Sequence, residues 1–220
     1  MKYYLGVDVG SSGSKATLLD EHFQIVTVRS VTHDLQNPKP GYFEHDAEKV
    51  WWGDLCALTR GILTECGLRG EEIAAVGCSA LGADLVPVDR ECMPLRNAIL
   101  YGIDSRASEE IAYLNRKYGE EKVLAFNGRP LCSNDIPPKM LWLKNNEPEI
   151  HEKAYKLLTA SSFLTAKLTG QYTIDRFLAY GPFARFIIRR TGSRTWSMCR
   201  SSAARTSWRT SGRQSISPAV

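Results

Sequence analysis

The chain has 220 residues, of which 43% are apolar and 24% charged, close to an average folded protein, so wholesale disorder and collagen-like structure are excluded. The net charge of +4 is unevenly placed: eight Arg and no Lys, Asp or Glu follow Pro182, leaving 20 basic and 24 acidic side chains before it, so a basic surface does not explain the first part. The longest apolar runs fall far short of the roughly 20 residues of a membrane helix, and Asp8 interrupts the first of them, so no signal core is expected. Six cysteines without CxxC or CxxH spacing argue against a zinc site or a disulfide framework and fit a reducing cytoplasm.

Residues 1–182 read as a mixed α/β domain. Tyr3–Val7, Lys15–Leu19 and Phe23–Val31 are β-branched or aromatic segments with short turns between them, which predicts an antiparallel meander. Asp46 can cap a helix whose apolar face is Val50, Trp51, Leu55, Leu58, Ile62 and Leu63, with Gly67 just past its end. Ile73–Ser79, Leu85–Val88 and Ala98–Tyr101 read as strands, and Ser105 opens a helix running to Tyr118. Further helices are predicted over Pro138–Asn145, Pro148–Ala154 and Ser161–Leu168, the last stopped by Gly170. Trp51 and Trp52 are expected in the core, and His22, His33, His45 and His151, set among turns and charged residues, at the surface.

The Arg/Ser-rich residues 183–220 carry no helical or strand period. Three readings compete: a basic tail that binds RNA or anionic lipid, a plain disordered terminus, and a segment translated out of frame. The abrupt loss of both acids and of Lys favours the last. Another frame after about Pro182 is then expected to encode a continuing α/β chain.

The strongest chemical signal is Asp8-Val9-Gly10-Ser11-Ser12-Gly13-Ser14-Lys15, placed between two predicted strands. It is neither a Walker loop, which opens a helix, nor GxGxxG. Small residues let backbone approach a phosphate, and Ser hydroxyls and N–H groups can donate to its oxygens. Asp8 at a strand end can hold Mg²⁺ through water, and Lys15 adds a positive charge for a terminal phosphate. The plain alternative is a Gly/Ser hairpin turn with a surface lysine.

The string Gly6-Val7-Asp8-Val9-Gly10-Ser11-Ser12-Gly13-Ser14-Lys15 resembles the opening of the FGGY family of carbohydrate kinases. Later segments match in order: Glu44-His45-Asp46-Ala47-Glu48-Lys49-Val50-Trp51-Trp52 is similar to an E-Q-D-P-E-x-W-W stretch, Ala98–Arg106 to x-I-x-W-x-D-x-R, and Asn127-Gly128-Arg129-Pro130 through Leu143 to T-G-x-P…K-L-x-W. The resemblance covers about residues 3–182, most of the family's first domain. It implies an actin-like, ribonuclease-H-like fold with a mixed sheet and flanking helices. It also implies transfer of the ATP γ-phosphate to a sugar or polyol hydroxyl, with Mg²⁺ neutralising charge and an Asp taking the hydroxyl proton. The resemblance further implies, by position, that Gly10, Ser11, Ser12, Gly13 and Lys15 contact the nucleotide phosphates, that Asp8 lies on the Mg²⁺ side, and that Ala80, Leu81, Asp84, Tyr101 and Asp104 face the sugar.

Departures bear on the substrate. Xylulokinase-like members carry Q-M-H-G where this chain reads Ser79-Ala80-Leu81-Gly82, followed by Ala83-Asp84. Ala80 and Leu81 cannot hydrogen-bond a hydroxyl, and Asp84 is a candidate substitute. Tyr101 stands in place of a Trp and can still stack on a sugar face. The family's catalytic Asp lies beyond the point where the resemblance stops, and no Asp or Glu follows Asp175. The chain alone is therefore expected to phosphorylate little or no sugar. The alternative to a carbohydrate kinase or its remnant is a non-catalytic actin-like nucleotide-binding module. The expected partners are ATP and a small sugar or polyol, not a membrane or nucleic acid, with a homodimer open to the full-length form and the cytoplasm as the compartment.

Overall fold

A computed structural model describes residues 2–180 and the pair Arg209–Thr210. The predicted meander is present as β1 (Tyr3–Val9), β2 (Gly13–Leu19) and β3 (Ile25–Thr32). The first two strands run closer to the turn than their β-branched residues suggest, because ladder pairing continues to Val9 opposite Ser14. β3 starts two residues late: Phe23 has φ 59° and its N–H donates to the Asp20 carbonyl, so it belongs to the turn. A further strand, β5 (Ile73–Ala80), lies parallel to β1, giving the order β3-β2-β1-β5.

β4 (Glu44–His45) leads into a π-helical turn over Ala47–Trp52, which passes into α1 (Gly53–Cys66). Asp46 caps the turn by accepting from the Lys49 N–H, and Gly67 ends α1 in the left-handed region at φ 63°. β5 (Ile73–Ala80), β6 (Val86–Val88) and β7 (Ala98–Ile99) follow. α2 (Ser108–Tyr118) begins three residues later than Ser105, whose N–H is committed to the Gly41 carbonyl. α3 (Glu120–Asn127) went unforeseen; among its described side chains only Val123 is buried. α4 (Ile136–Asn146) sets two prolines in its first turn, where no N–H is needed, and α5 (Pro148–Lys153) follows. β8 (Lys156–Leu158), too short to show a period, pairs antiparallel with β6. α6 (Ala160–Thr169) is capped by Thr159 Oγ1, and β9 (Thr173–Ile174) and α7 (Arg176–Tyr180) complete the domain. The readings made for residues 183–220 lie outside the described residues except at β10 (Arg209–Thr210), which pairs with β9 through backbone groups that need no side-chain pattern.

Alternation along β1 and β2 puts Leu5, Val7, Val9, Ala16 and Leu18 on one face. They meet Leu55, Leu58 and Ile62 of α1, Trp51, and Phe163 and Leu164 of α6. A second core joins Leu85, Ile99, Ile136, Leu143, Leu157 and Leu178. The other sheet face is open among the described residues: Val26 and Val28 are both more than 40% exposed. Among the described residues, β5 also forms an open edge of the sheet.

Candidate active site

The β1–β2 turn is tight because two of its residues have no side chain. A Cβ on Gly13 would stand 2.7 Å from the Val31 carbonyl oxygen, and one on Gly10 would stand 3.0 Å from the Gly13 carbonyl oxygen. The Gly10 N–H donates to that same Gly13 carbonyl at 2.9 Å. Register then aligns the chemistry. Asp8 pairs with Lys15 across β1–β2 and with Ser79 across β1–β5, so the three side chains share the open face. The Ser79 hydroxyl donates to Asp8 Oδ1. Ser11 and Ser12 at the tip are exposed.

Beneath the turn lies a polar layer that the sequence reading did not anticipate. His33 was expected at the surface, yet its side chain is buried: Nδ1 lies 2.7 Å from Asp54 Oδ2 and Nε2 lies 3.1 Å from the Gly10 carbonyl. His45, expected outside as well, is fully buried, with Nε2 3.2 Å from the Ser11 carbonyl and Nδ1 accepting from Trp51 Nε1–H at 3.0 Å. Burial first, then the neighbouring His33, hold the His45 pKa down at about 4, against the opposing pull of the Ser11 carbonyl and Asp54. Ser14 donates to Asp54 Oδ2 at 2.7 Å. Flanking charge suggested exposure for both rings, but each turns inward to meet backbone carbonyls that the sequence does not display. His22 is exposed and His151 half-buried.

The Leu81–Asp84 turn follows β5 and lies beside the phosphate-type turn, since the Leu81 N–H donates to the Val9 carbonyl. Both turns thus sit past the carboxyl ends of the parallel pair β1–β5, where open α/β sheets bind ligands. Of the sugar-facing candidates, Tyr101 is open, at 42% exposure, while Ala80 is half-buried and Leu81 buried. Asp84 and Asp104 differ from expectation. Asp84 is fully buried; its Oδ1 accepts from the Tyr101 N–H at 3.3 Å, and burial pushes its pKa up to about 8 despite the charge of Lys139. Lys139, itself buried, donates to the Ala83 and Ser133 carbonyls, and burial lowers its pKa to about 8. Asp104 is held by Arg106 Nε and Nη2 and by the Phe43 N–H, the guanidinium satisfying a buried carboxylate two residues away. Neither carboxylate is offered to a ligand. Ala83, between them in the turn, takes the left-handed region at φ 43°, unusual for a residue with a Cβ.

The model of the FGGY family of carbohydrate kinases, N-terminal domain, matches residues 3–180. The chain belongs to the FGGY family. It is similar to the xylulose kinase of Staphylococcus xylosus, 29% identical over 170 residues, covering 77% of this chain and 34% of that protein. It is also similar to the L-xylulose/3-keto-L-gulonate kinase of Escherichia coli, 32% identical, with 77% and 34% covered. A crystal structure of a xylulose-type kinase from Brucella ovis superposes with a TM-score of 0.74 at 28% identity, covering 82% of this chain and 37% of that one. The chain thus spans about a third of the length of the curated relatives it matches. The expected actin-like fold is borne out by these FGGY neighbours. Among the described residues, no helix is long and apolar enough to cross a membrane.

Proposed function

We propose that residues 1–182 are the phosphate- and sugar-facing lobe of an ATP-dependent FGGY carbohydrate kinase. The reading is carried by the row Lys15–Asp8–Ser79 on the open sheet face beside a turn whose two glycines leave no room for a Cβ. Ser11 and Ser12 bring backbone and hydroxyl donors to the nucleotide phosphates, Gly10 and Gly13 close the turn tightly enough for that approach, and Lys15 supplies the nearby positive charge. Mg²⁺ fits Asp8 as a water-mediated partner: the carboxylate is exposed, and among the described residues no group of three His, Cys, Asp or Glu forms a cage. When bound, the ion neutralises phosphate charge. Tyr101 offers a ring face to the sugar, while Ala80 and Leu81 shape an apolar wall. Five free cysteines among the described residues accord with a reducing cytoplasm. The family resemblance puts the base beyond residue 182, so little turnover is expected from residues 1–182 alone.

The burial of Asp84 and Asp104 favours a second reading, a nucleotide-binding module without sugar chemistry. One set of titrations separates the two. The 220-residue chain is titrated with Mg·ATP, then with a panel of ketoses, aldoses and polyols, while ATP consumption is followed. Shifts of the Ser11 and Ser12 amides with ATP, and of residues around Tyr101 with a sugar, support the kinase lobe. ATP shifts alone favour the module, and no ATP response refutes both. Robust turnover would mean that the base lies within residues 1–182.

A further inference from the structure

The Gly10–Ser12 turn is held from its buried side by two imidazoles. The Gly10 carbonyl accepts from His33 Nε2 and the Ser11 carbonyl from His45 Nε2. In a trans peptide the carbonyl and the next N–H point opposite ways, and no cis peptide bond occurs among the described residues. Two carbonyls drawn inward therefore turn the Ser11 and Ser12 N–H groups outward, on the side where both residues are exposed. Successive outward N–H groups make a concavity suited to an anion. We propose that His33 and His45 are positioning residues that aim these two amides at a phosphate oxygen. The proposal rests on the phosphate reading given above.

The layer behind the rings fixes which ring atoms donate. Trp51 Nε1–H occupies His45 Nδ1, so the His45 proton resides on Nε2 and is donated to Ser11. His33 is held between two acceptors, with Nδ1 at the Asp54 carboxylate and Nε2 at the Gly10 carbonyl. Asp54 also receives the Ser14 hydroxyl, which ties β2 to the same point. Orientation thus passes from Trp51 and Asp54 to the rings, and from the rings to the loop amides. His45 has no exposed surface and cannot touch a phosphate itself.

Substitution at residue 45 separates donation from bulk. Glutamine can donate to the Ser11 carbonyl from its amide nitrogen and accept from Trp51 with its oxygen, whereas leucine fills the space and does neither. Mg·ATP is titrated into the 220-residue chain while the Ser11 and Ser12 amides are followed by NMR, with thermal melts to confirm folding. H45Q is expected to bind within about twofold of wild type and H45L about tenfold more weakly, the loss of one oriented contact. Equal affinity for wild type and H45L overturns this inference and leaves the phosphate reading standing. A wild-type chain whose Ser11 and Ser12 amides ignore Mg·ATP overturns both. Should H45L fail to fold, the ring nitrogen spectrum of the wild type decides: a proton on His45 Nδ1 rather than Nε2 overturns the proposal.

Discussion

Replacing Asp84 with Asn removes an ionisable group from a place where ionisation is costly. The carboxyl is fully buried, Oδ2 has no hydrogen-bond partner, and its pKa is raised from 3.8 to about 8 chiefly by burial. The folded state therefore keeps a proton that the unfolded chain releases at much lower pH. Stability from this group is fully present below pH 3.8 and is lost as pH rises toward about 8. Each pH unit in that window removes up to about 1.4 kcal/mol, so moving from about pH 5 to about pH 7 removes up to about 3 kcal/mol. Lys139, depressed from 10.5 to about 8, exerts its own linkage only above that window. Asn does not ionise, so whatever constant offset D84N introduces, its stability relative to wild type should climb by up to that amount over the same interval. Urea unfolding followed by tryptophan fluorescence at several pH values measures this difference. A wild-type-minus-D84N difference that stays flat would show that the Asp84 pKa is not raised on folding, and would refute the reasoning.

Gly13→Ala forces a Cβ to within 2.7 Å of the Val31 carbonyl and is expected to cost about 1–3 kcal/mol in thermal or urea unfolding, whereas Gly70→Ala, with open space around it, should be close to neutral. Arg106→Met strands the buried Asp104 carboxylate and removes one partner of Glu44; a loss of about 3–5 kcal/mol by chemical denaturation is expected, and a loss under about 1 kcal/mol would contradict the pairing. Asp8→Asn, at an exposed position, should leave stability within about 0.5 kcal/mol of wild type while abolishing the Mg²⁺ dependence of ATP binding; isothermal titration with and without the ion checks this, and an unchanged dependence would remove Asp8 from the metal side.

Much of the fold is legible where one periodicity rules a segment. The alternation of Leu5, Val7 and Val9 and the helical spacing of Leu55, Leu58 and Ile62 each describe a face that is buried as spaced. Gly67 and Gly170 stop their helices in the left-handed region, as their positions suggest. β8 was not legible, because three residues carry no period and its existence depends on β6 across the fold. At the site, the strand-end acid, the glycines and the lysine could be read as a local string. The histidine layer could not, since His33 and His45 acquire meaning only when β3 and β4 bring them under the turn. Asp84 and Asp104 were misjudged for a related reason: residue type shows that a carboxylate can bind a hydroxyl, but Arg106 and Lys139 had already been placed by the fold to occupy those surroundings.

The open edge of β5 has a practical consequence. Ile73–Ala80 contains no charged residue and no proline, and Ala74, Ala75, Val76 and Gly77 are exposed. Natural edge strands usually carry a lysine, a bulge or a proline that discourages another strand from joining. From Ala75 to Ala80, past one irregularity at Ala74, a row of backbone donors and acceptors stands beside small apolar side chains with no lysine or proline. At high concentration, this edge is expected to be a template for accretion of further copies. Turbidity, gel retention or apparent dimers in such a sample would then report stickiness along one strand rather than a working assembly. A lysine at residue 76 would distinguish the two, since it guards the edge without touching the turns that face the ligand.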